Sequence, residues 1–451
     1  MAQDKEGAKM TNPTLLDIAR GAVASAKNKG ASEASAGASL AREVKVGWRD
    51  GRLERIAEST TRGLSLQLYV DGRYSAVATS DLRPEALEEF VGRAVALARA
   101  LAPDPFRRLP DPALYQGRAE LDLQLEDPGY DAVSAAQRRE MVQRLEAAAR
   151  GVQGAEAIVS VTSDFSDVRS ESARVASNGF EGVNRQTSFW PVVEVSVKDE
   201  DGRRPEDYDY AGAHHFADLP DLAGIGRGAA ERALRRRGAK KGESATLSIA
   251  VDNRASGRLV SYLFGPLGAA SLQQKRSMFE GKLGEQIGSA RLDIADDPLV
   301  VKGLGSRLFD GEGIAARRLP IFEAGHLRGY YVDNYYGRKL QLTPTTGGSS
   351  NLAWKLGDKS QTELLAEMKE GILVTGFLGG NSNGTTGDFS LGIQGYRVRG
   401  GGIAEPLSEM NVSGNHLAFW KRLAAVGNDP FPWSSGRAPT LVFEGVQVAG
   451  T

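Results

Sequence analysis

The stretch GILVTGFLGGNSNGTTGDFSLGIQGYRVRGGGI, residues 371–403, decides how this chain is read. Eleven of its positions are glycine, most others are apolar or Asn/Thr, and almost no side chain there can do acid–base work. Glycine at this density permits positive φ and lets another backbone come close, so the segment is suited to β-strands rather than to a catalytic loop. Two readings stay open. The strands pair with an extended peptide, or they are β-hairpins with ordinary glycine turns.

Working outward, the whole region after Gly242 is glycine-rich, sparse in helix patterns and punctuated by turn pairs, as expected of a β-rich domain with its boundary near residue 241. The first half alternates differently. Thr14 to Lys29 reads as a helix stopped by Gly30. Val44, Val46 and Trp48 alternate before Asp50-Gly51, and Leu64, Leu66, Leu68 and Val70 before Asp71-Gly72. Pro84 then opens a helix with Leu87, Phe90, Val91, Ala94, Val95 and Ala98 on one face. A proline-rich linker, 102–112, precedes a helix from about Ala132 to Arg150. Strand-like runs at 157–163 and 192–197 follow, with turns at Asn178-Gly179 and Asp201-Gly202, and then a helix over 217–237. The repeated order suggests an internal duplication. The expected fold is α+β: two similar helix-and-hairpin units over 13–240, then a β-rich domain over 241–451. Residues 1–12 read as a disordered extension, with Met10 a candidate natural start.

Lys+Arg 56 against Asp+Glu 57 gives a net charge of -1, which offers no global field for nucleic acid or an anionic membrane. The absence of cysteine removes disulfides, thiolate nucleophiles and cysteine-ligated metals. The polar N-terminus lacks a signal-peptide core, and no apolar run approaches the roughly 20 residues needed to span a bilayer. A soluble cytoplasmic protein is expected.

The search for chemistry returns little. P-loop and dinucleotide fingerprints are missing. Gly380 to Gly384 matches GxSxG around Ser382, but Thr385-Thr386-Gly387 continues as loop where a nucleophile elbow needs a helix. His214 and His215 are adjacent and so point in different directions, while His326 and His416 stand alone, a poor basis for a metal site. Asp293, Asp296 and Asp297 either attract a divalent cation or form a turn before a strand at Leu299 to Lys302. Tyr330, Tyr331, Tyr335 and Tyr336 either line a peptide groove or pack across paired strands. The basic run Arg235, Arg236, Arg237, Lys240 and Lys241 reads as a solvated helix end rather than a phosphate site.

Taken in order, DGRLERIAESTTRGLSLQLYVDGR, FEGKLGEQIGS, ADDPLVVKGLGSRLFDGEGI, GILVTGFLGG, TTGDFSLGIQGYRV and LAAVGND resemble the TldD/PmbA family, and within it the PmbA (TldE) branch. The likeness runs from about Pro13 to the C-terminus. It implies a cytosolic metalloprotease system in which TldD and TldE pair as a heterodimer through their C-terminal regions and cleave unfolded or extended peptides. Roles in leader-peptide removal and antitoxin degradation belong to that system.

In the TldD branch the family pattern has HExxxH on a helix and a cysteine from a glycine-rich C-terminal loop. The matching window here is Asn253-Arg254-Ala255-Ser256-Gly257-Arg258, so the histidine positions are Asn253 and Arg258 and the glutamate position is Arg254. Val426-Gly427-Asn428-Asp429 leads into PFPWSSGRAPT with no cysteine. Catalytic zinc needs about three protein ligands, an activated water and a nearby carboxylate. Guanidinium cannot ligate, amide oxygen is a poor substitute for imidazole, and two added positive charges would repel the ion. The same window also reads as a core helix, with Val260, Leu263 and Phe264 continuing its apolar stripe.

The expectation is therefore a non-catalytic TldE/PmbA-like subunit without its own metal or cofactor, beside a zinc-bearing TldD-like partner. It would contribute dimer interface and substrate chamber, with Gly379, Gly380, Asn381, Asn383, Thr385 and Thr386 as candidates for pairing with peptide or partner. The alternative is a homodimeric peptide- or protein-binding module without hydrolysis. A third reading is an active enzyme using His214, His215 and the acidic cluster.

Overall fold

A computed structural model describes residues 13–450. The expected extension at 1–12 lies outside the described residues. The chain divides into two compact units: the first comprises residues up to Arg42, Ser59–Gln116 and Arg169–Arg185, the second Glu43–Glu58, Gly117–Val168 and Gln186 onward.

The first half of the chain supplies β1 (Glu33–Arg49), β2 (Arg52–Val70), β3 (Arg73–Thr79), β4 (Ile158–Ala176), β5 (Glu181–Val197) and β6 (Glu206–Tyr210), with α1 (Leu15–Asn28), α2 (Pro84–Arg99), α3 (Ala135–Arg150) and α4 (Leu222–Arg235). Strands β1, β2, β4 and β5 give a segment to each unit, and the pairing order is β3-β2-β1-β4-β5-β6.

In the first unit α1 starts at a capping box between Thr14 and Asp17 and ends before Gly30 at φ +97°. Val23 of α1 and Val91 and Val95 of α2 meet Ala34, Ala36, Leu64, Leu66 and Leu68 in one core. Each fully buried Leu or Val there contributes about 1.5–3 kcal/mol. The second unit repeats the scheme: Val142 and Leu145 of α3 and Ile225 and Ala229 of α4 cover Val161, Phe165, Val193 and Val195. Helix α4 does not begin at Ala217. Pro220 pushes Leu219 into an extended conformation, a short 3-10 turn occupies Phe216–Asp218, and Asp221 caps the helix by accepting from the Ala223 amide.

The remainder of the second unit comprises β7 (Ala245–Val251), α5 (Asn253–Phe264), α6 (Ala269–Gln273), β8 (Ile294–Asp297), β9 (Leu319–Glu323), β10 (His326–Leu327), α7 (Asn334–Leu340), β11 (Asn351–Trp354), α8 (Gln361–Met368), β12 (Gly371–Ser382), β13 (Asp388–Arg399), β14 (Gly402–Asn415), α9 (His416–Phe419), β15 (Leu423–Val426) and β16 (Leu441–Ala449). The β-rich C-terminal region is thus as the sequence leads one to expect. Six strands run β14-β13-β12-β7-β16-β15, and pairing of Asn411 and Val412 with Ala449 and Val448 closes five of them into a ring.

Closure explains the glycines. Register shifts lie between Val374 and Gly376, Phe377 and Gly379, and Ile393 and Gly395, and such bulges bend strands around a small barrel. A Cβ on Gly395 would sit 1.8 Å from the Leu373 carbonyl oxygen, and one on Gly380, at φ +107°, 2.1 Å from that of Ser390. The backbone that these two glycines approach is their own sheet.

Two local expectations fail. Leu299 to Lys302 is not a strand; the strand is Ile294–Asp297, and Pro298 ends it while Asp297 Oδ1 accepts from the Leu299 amide at 3.0 Å. Tyr335 and Tyr336 lie on α7 rather than on paired strands, because Asp333 caps a helix there by accepting from the Tyr336 amide.

Candidate functional site

Helix α5 follows β7 directly, with Asp252 as its N-cap accepting from the Arg254 amide at 2.9 Å. Leu259, Val260 and Leu263 anchor its buried face, so the opposite side of its first two turns carries Arg254 and Arg258, with Asn253 beside the buried stripe. The window forms a core helix, and its Arg254 and Arg258 border a cavity of about 390 Å³ within the second unit.

The three residues have three different uses. Asn253 Nδ2 donates to the Asp429 carbonyl at 2.8 Å, which ties α5 to the loop where the family pattern would bring its cysteine. Arg254 Nη1 lies 2.5 Å from Asp209 Oδ1, its other terminal nitrogen donates to the Tyr208 carbonyl, and its guanidinium sits 5.7 and 5.9 Å from the Tyr208 and Phe431 ring centres. Arg258 is exposed and donates to the Phe377 carbonyl at 3.2 Å and to the Tyr262 hydroxyl at 3.4 Å.

Arg254 is the end of a ladder. Asp209 also holds Arg232 at 2.7 Å, Arg232 reaches Asp207 at 3.2 Å, and Asp207 faces Arg236 at 3.5 Å. Arg236 donates in addition to the Glu206 carbonyl and to Gln394. The arginine side chains are 19–21% exposed and the aspartates 16%, so these pairs are shielded more than ordinary surface ion pairs. For Arg232 burial pulls the pKa down, but Asp209 and Asp207 outweigh it and the net direction is up. Burial raises Tyr396 and Tyr210 at the margins, ahead of any charge effect.

The ladder corrects two points. Arg236 is not part of a solvated helix end, because it is folded into the pocket wall. Arg254 does not stand as a free positive charge, since Asp209 compensates it; what disqualifies the window for zinc is its donor set. Asn253 spends its amide on the chain, both guanidinia are cationic, and among the described residues no group of three or more His, Asp or Glu side chains is placed to hold a metal. The residues present do not fit a catalytic zinc ion.

Sequence reasoning missed Asp207, Asp209 and Arg232 and misread Arg236. Their signal was present: two aspartates at i, i+2 share one face of β6, and Arg232 and Arg236, in the last turn and at the C-cap of α4, stand at i, i+4.

The other candidates fall elsewhere. Gly379, Gly380 and Asn381 lie on β12, paired with Gly392, Leu391 and Ser390 of β13. Asn383, Thr385 and Thr386 form the following turn, where Asn383 Oδ1 accepts from the amides of Thr385 and Thr386 and Asn415 donates to the Thr386 carbonyl. Ser382 Oγ lies 2.9 Å from His416 Nε2. No carboxylate supports that pair: His416 Nδ1 is buried without a hydrogen-bond partner, and burial pushes the imidazole down to about 4, too weak a base for a triad. His214 is held by the Thr187 and Gly303 carbonyls and His215 by that of Gln124. Asp296 accepts from the Ser350 amide and hydroxyl, and Asp293 from the Ala324 amide, which makes the acidic cluster a set of backbone ties. Tyr330 and Tyr331 are buried in the core.

Among the described residues no helix is long and apolar enough to cross a membrane. Compared with known proteins, the chain matches domains described as PmbA/TldA metallopeptidase domain 1 over residues 39–98, central domain over 128–237 and C-terminal domain over 244–450. It is similar to the Metalloprotease PmbA of Escherichia coli O157:H7, 28% identical over 442 residues, 97% of this chain and 95% of that one. A crystal structure from Bacteroides thetaiotaomicron, described as a candidate modulator of DNA gyrase, superposes with TM-score 0.93 at 39% identity, covering 96% of this chain and 98% of that one. TldE from Thermococcus kodakarensis shares the fold at TM-score 0.83 and 18% identity, over 96% and 100% of the two chains. The family domains together span most of the described residues, and this chain belongs to the PmbA/TldD metallopeptidase family.

Proposed function

We propose that this chain is the non-catalytic, TldE-like subunit of a cytoplasmic metallopeptidase that acts on unfolded or extended peptides, working beside a TldD-like subunit that carries the zinc. One observation carries the reading: where the family pattern requires a general-base glutamate, Arg254 is salt-bridged to Asp209 and lies 5.7 and 5.9 Å from the Tyr208 and Phe431 ring centres. Metal-assisted hydrolysis needs a carboxylate to manage the proton of the attacking water, and a guanidinium held in an ion pair can neither accept that proton nor bind the metal. The retained helix and pocket support a role in shaping a chamber and an interface.

Co-expression with a TldD homologue carrying HExxxH tests this. A stable complex with chelator-sensitive peptidase activity, absent from this chain alone, is the expected result. Failure to associate rejects the subunit role, and a homodimer that binds peptides without turnover would replace it. Stoichiometric zinc with cleavage in the single chain would overturn both.

A further inference from the structure

Among the described residues the ladder leaves four charged side chains lining the cavity without an oppositely charged partner: Arg258, Glu194, Glu206 and Asp252, whose carboxylate accepts from the Arg254 amide and from Gln361. Arg258 has only the Phe377 carbonyl and the Tyr262 hydroxyl. Glu194 of β5 and Glu206 of β6 line the same cavity, and neither side chain is paired with a cation among the described residues. The two glutamates are diagonal neighbours on one face, since Glu194 lies opposite Tyr208 and Ser196 opposite Glu206. Glu194 and Glu206 thus stand on the β5–β6 hairpin and Arg258 on α5, while Asp252 already spends its carboxylate on the α5 cap and Gln361.

The floor is a strand edge. Strand β12 pairs with β7 only from Gly371 to Val374, so Thr375, Gly376 and Phe377 border the cavity with no strand on that side. Arg258 donates to the Phe377 carbonyl from this side, so that carbonyl points toward the cavity. A volume of about 390 Å³ is at the small end of ligand pockets and suits the end of a chain rather than its length.

We propose that this cavity binds the carboxyl-terminal end of an extended peptide. The terminal carboxylate displaces the Phe377 carbonyl from Arg258, the last residues add to the free edge of β12, and a basic group on the peptide faces Glu194 and Glu206. A charge-assisted carboxylate–guanidinium contact is stronger than the carbonyl contact it replaces, which favours the exchange. The inference rests on the non-catalytic reading above and names the ligand that the vacated pocket of such a subunit would hold.

The test is titration of the intact chain with a fluorescein-labelled peptide ending Lys-Ala-Val-Leu, compared with its C-terminal amide and with a Glu-Ala-Val-Leu version. The free acid is expected to bind at least about tenfold more tightly than the amide, and the lysine peptide more tightly than the glutamate one. Arg258→Gln should abolish the acid-over-amide preference, and Glu194→Gln with Glu206→Gln should abolish the lysine preference alone. Because Arg258 is exposed, its replacement leaves the core intact, and the acid-to-amide comparison in the unaltered chain needs no variant at all. Equal binding of acid and amide, an unchanged preference in Arg258→Gln, or no saturable binding of any peptide overturns the proposal. A chain that assembles with a TldD homologue yet fails this titration keeps the subunit role and loses only the peptide site.

Discussion

Replacing Asp209 by Asn keeps the shape of the side chain and removes the charge that joins Arg254 to Arg232. Two charge-assisted contacts, at 2.5 and 2.7 Å, are weakened at once. Each such bond contributes about 1.5–3 kcal/mol when shielded, and stranding a buried cation costs about 3–5 kcal/mol. Both guanidinia keep roughly a fifth of their surface in solvent, Arg232 keeps Asp207, and Arg254 keeps the Tyr208 carbonyl, so the net loss should be about 2–3 kcal/mol. In a unit of this size 1 kcal/mol moves the melting temperature by about 2 °C, which predicts a drop of about 4–6 °C by differential scanning fluorimetry. The drop should persist in high salt, because shielded pairs are screened little. Arg254→Met should recover part of the loss in the Asp209→Asn background, since it removes a stranded charge. A variant that melts with the parent, or losses in the two single variants that simply add in the double, would refute the view of the ladder as a coupled, buried network.

Three further outcomes are expected. Gly226→Ala places a Cβ 2.4 Å from the Leu145 carbonyl oxygen where α4 crosses α3, and should cost about 1–3 kcal/mol in the second unit, read as a lower melting temperature with unchanged secondary structure by circular dichroism. His416 titrates at about 4 when folded against an ordinary value near 6.5, so its contribution is complete above pH 6.5 and is lost as the pH falls toward 4, on the order of 3 kcal/mol; melting curves of the parent should decline more steeply over that window than those of His416→Phe. Restoring the motif with Asn253→His, Arg254→Glu and Arg258→His supplies only two imidazoles and sets a new carboxylate against Asp209, so inductively coupled plasma measurements should find no stoichiometric zinc.

How legible was this in the sequence? Elements with a local cause could be read closely: the helix from Thr14 stopped by Gly30, Pro84 at a helix start, and the Asp50-Gly51 and Asp71-Gly72 turns with positive φ at all four residues. Where the cause is tertiary the reading slipped. Residue types left two readings of glycines such as Gly380 and Gly395 open, and the atoms their missing Cβ would strike belong to β13 and β12, within the hairpin itself. The window's residue types argue against a zinc site from the sequence alone, since guanidinium cannot ligate and an amide oxygen is a poor substitute for imidazole. The ion pair that stands there was not legible, because Asp209 and Arg254 are 45 residues apart and meet only when β6, α4 and α5 converge. Arg236 was misread for the same reason: a basic run at a helix end usually points to water, and here one member reaches back to a neighbouring strand.

The three polar residues of the window also hold neighbouring segments to α5. Asn253 binds the loop through the Asp429 carbonyl, Arg254 binds β6 through Asp209, and Arg258 binds the free end of β12 through the Phe377 carbonyl. Each therefore ties α5 to a different element, and two of the three ties, those of Arg254 and Arg258, border the cavity. Of the three ties, the first two are shielded and specific, whereas the third is exposed and weak. That difference is why Arg258 is the one able to release the chain and take up a ligand.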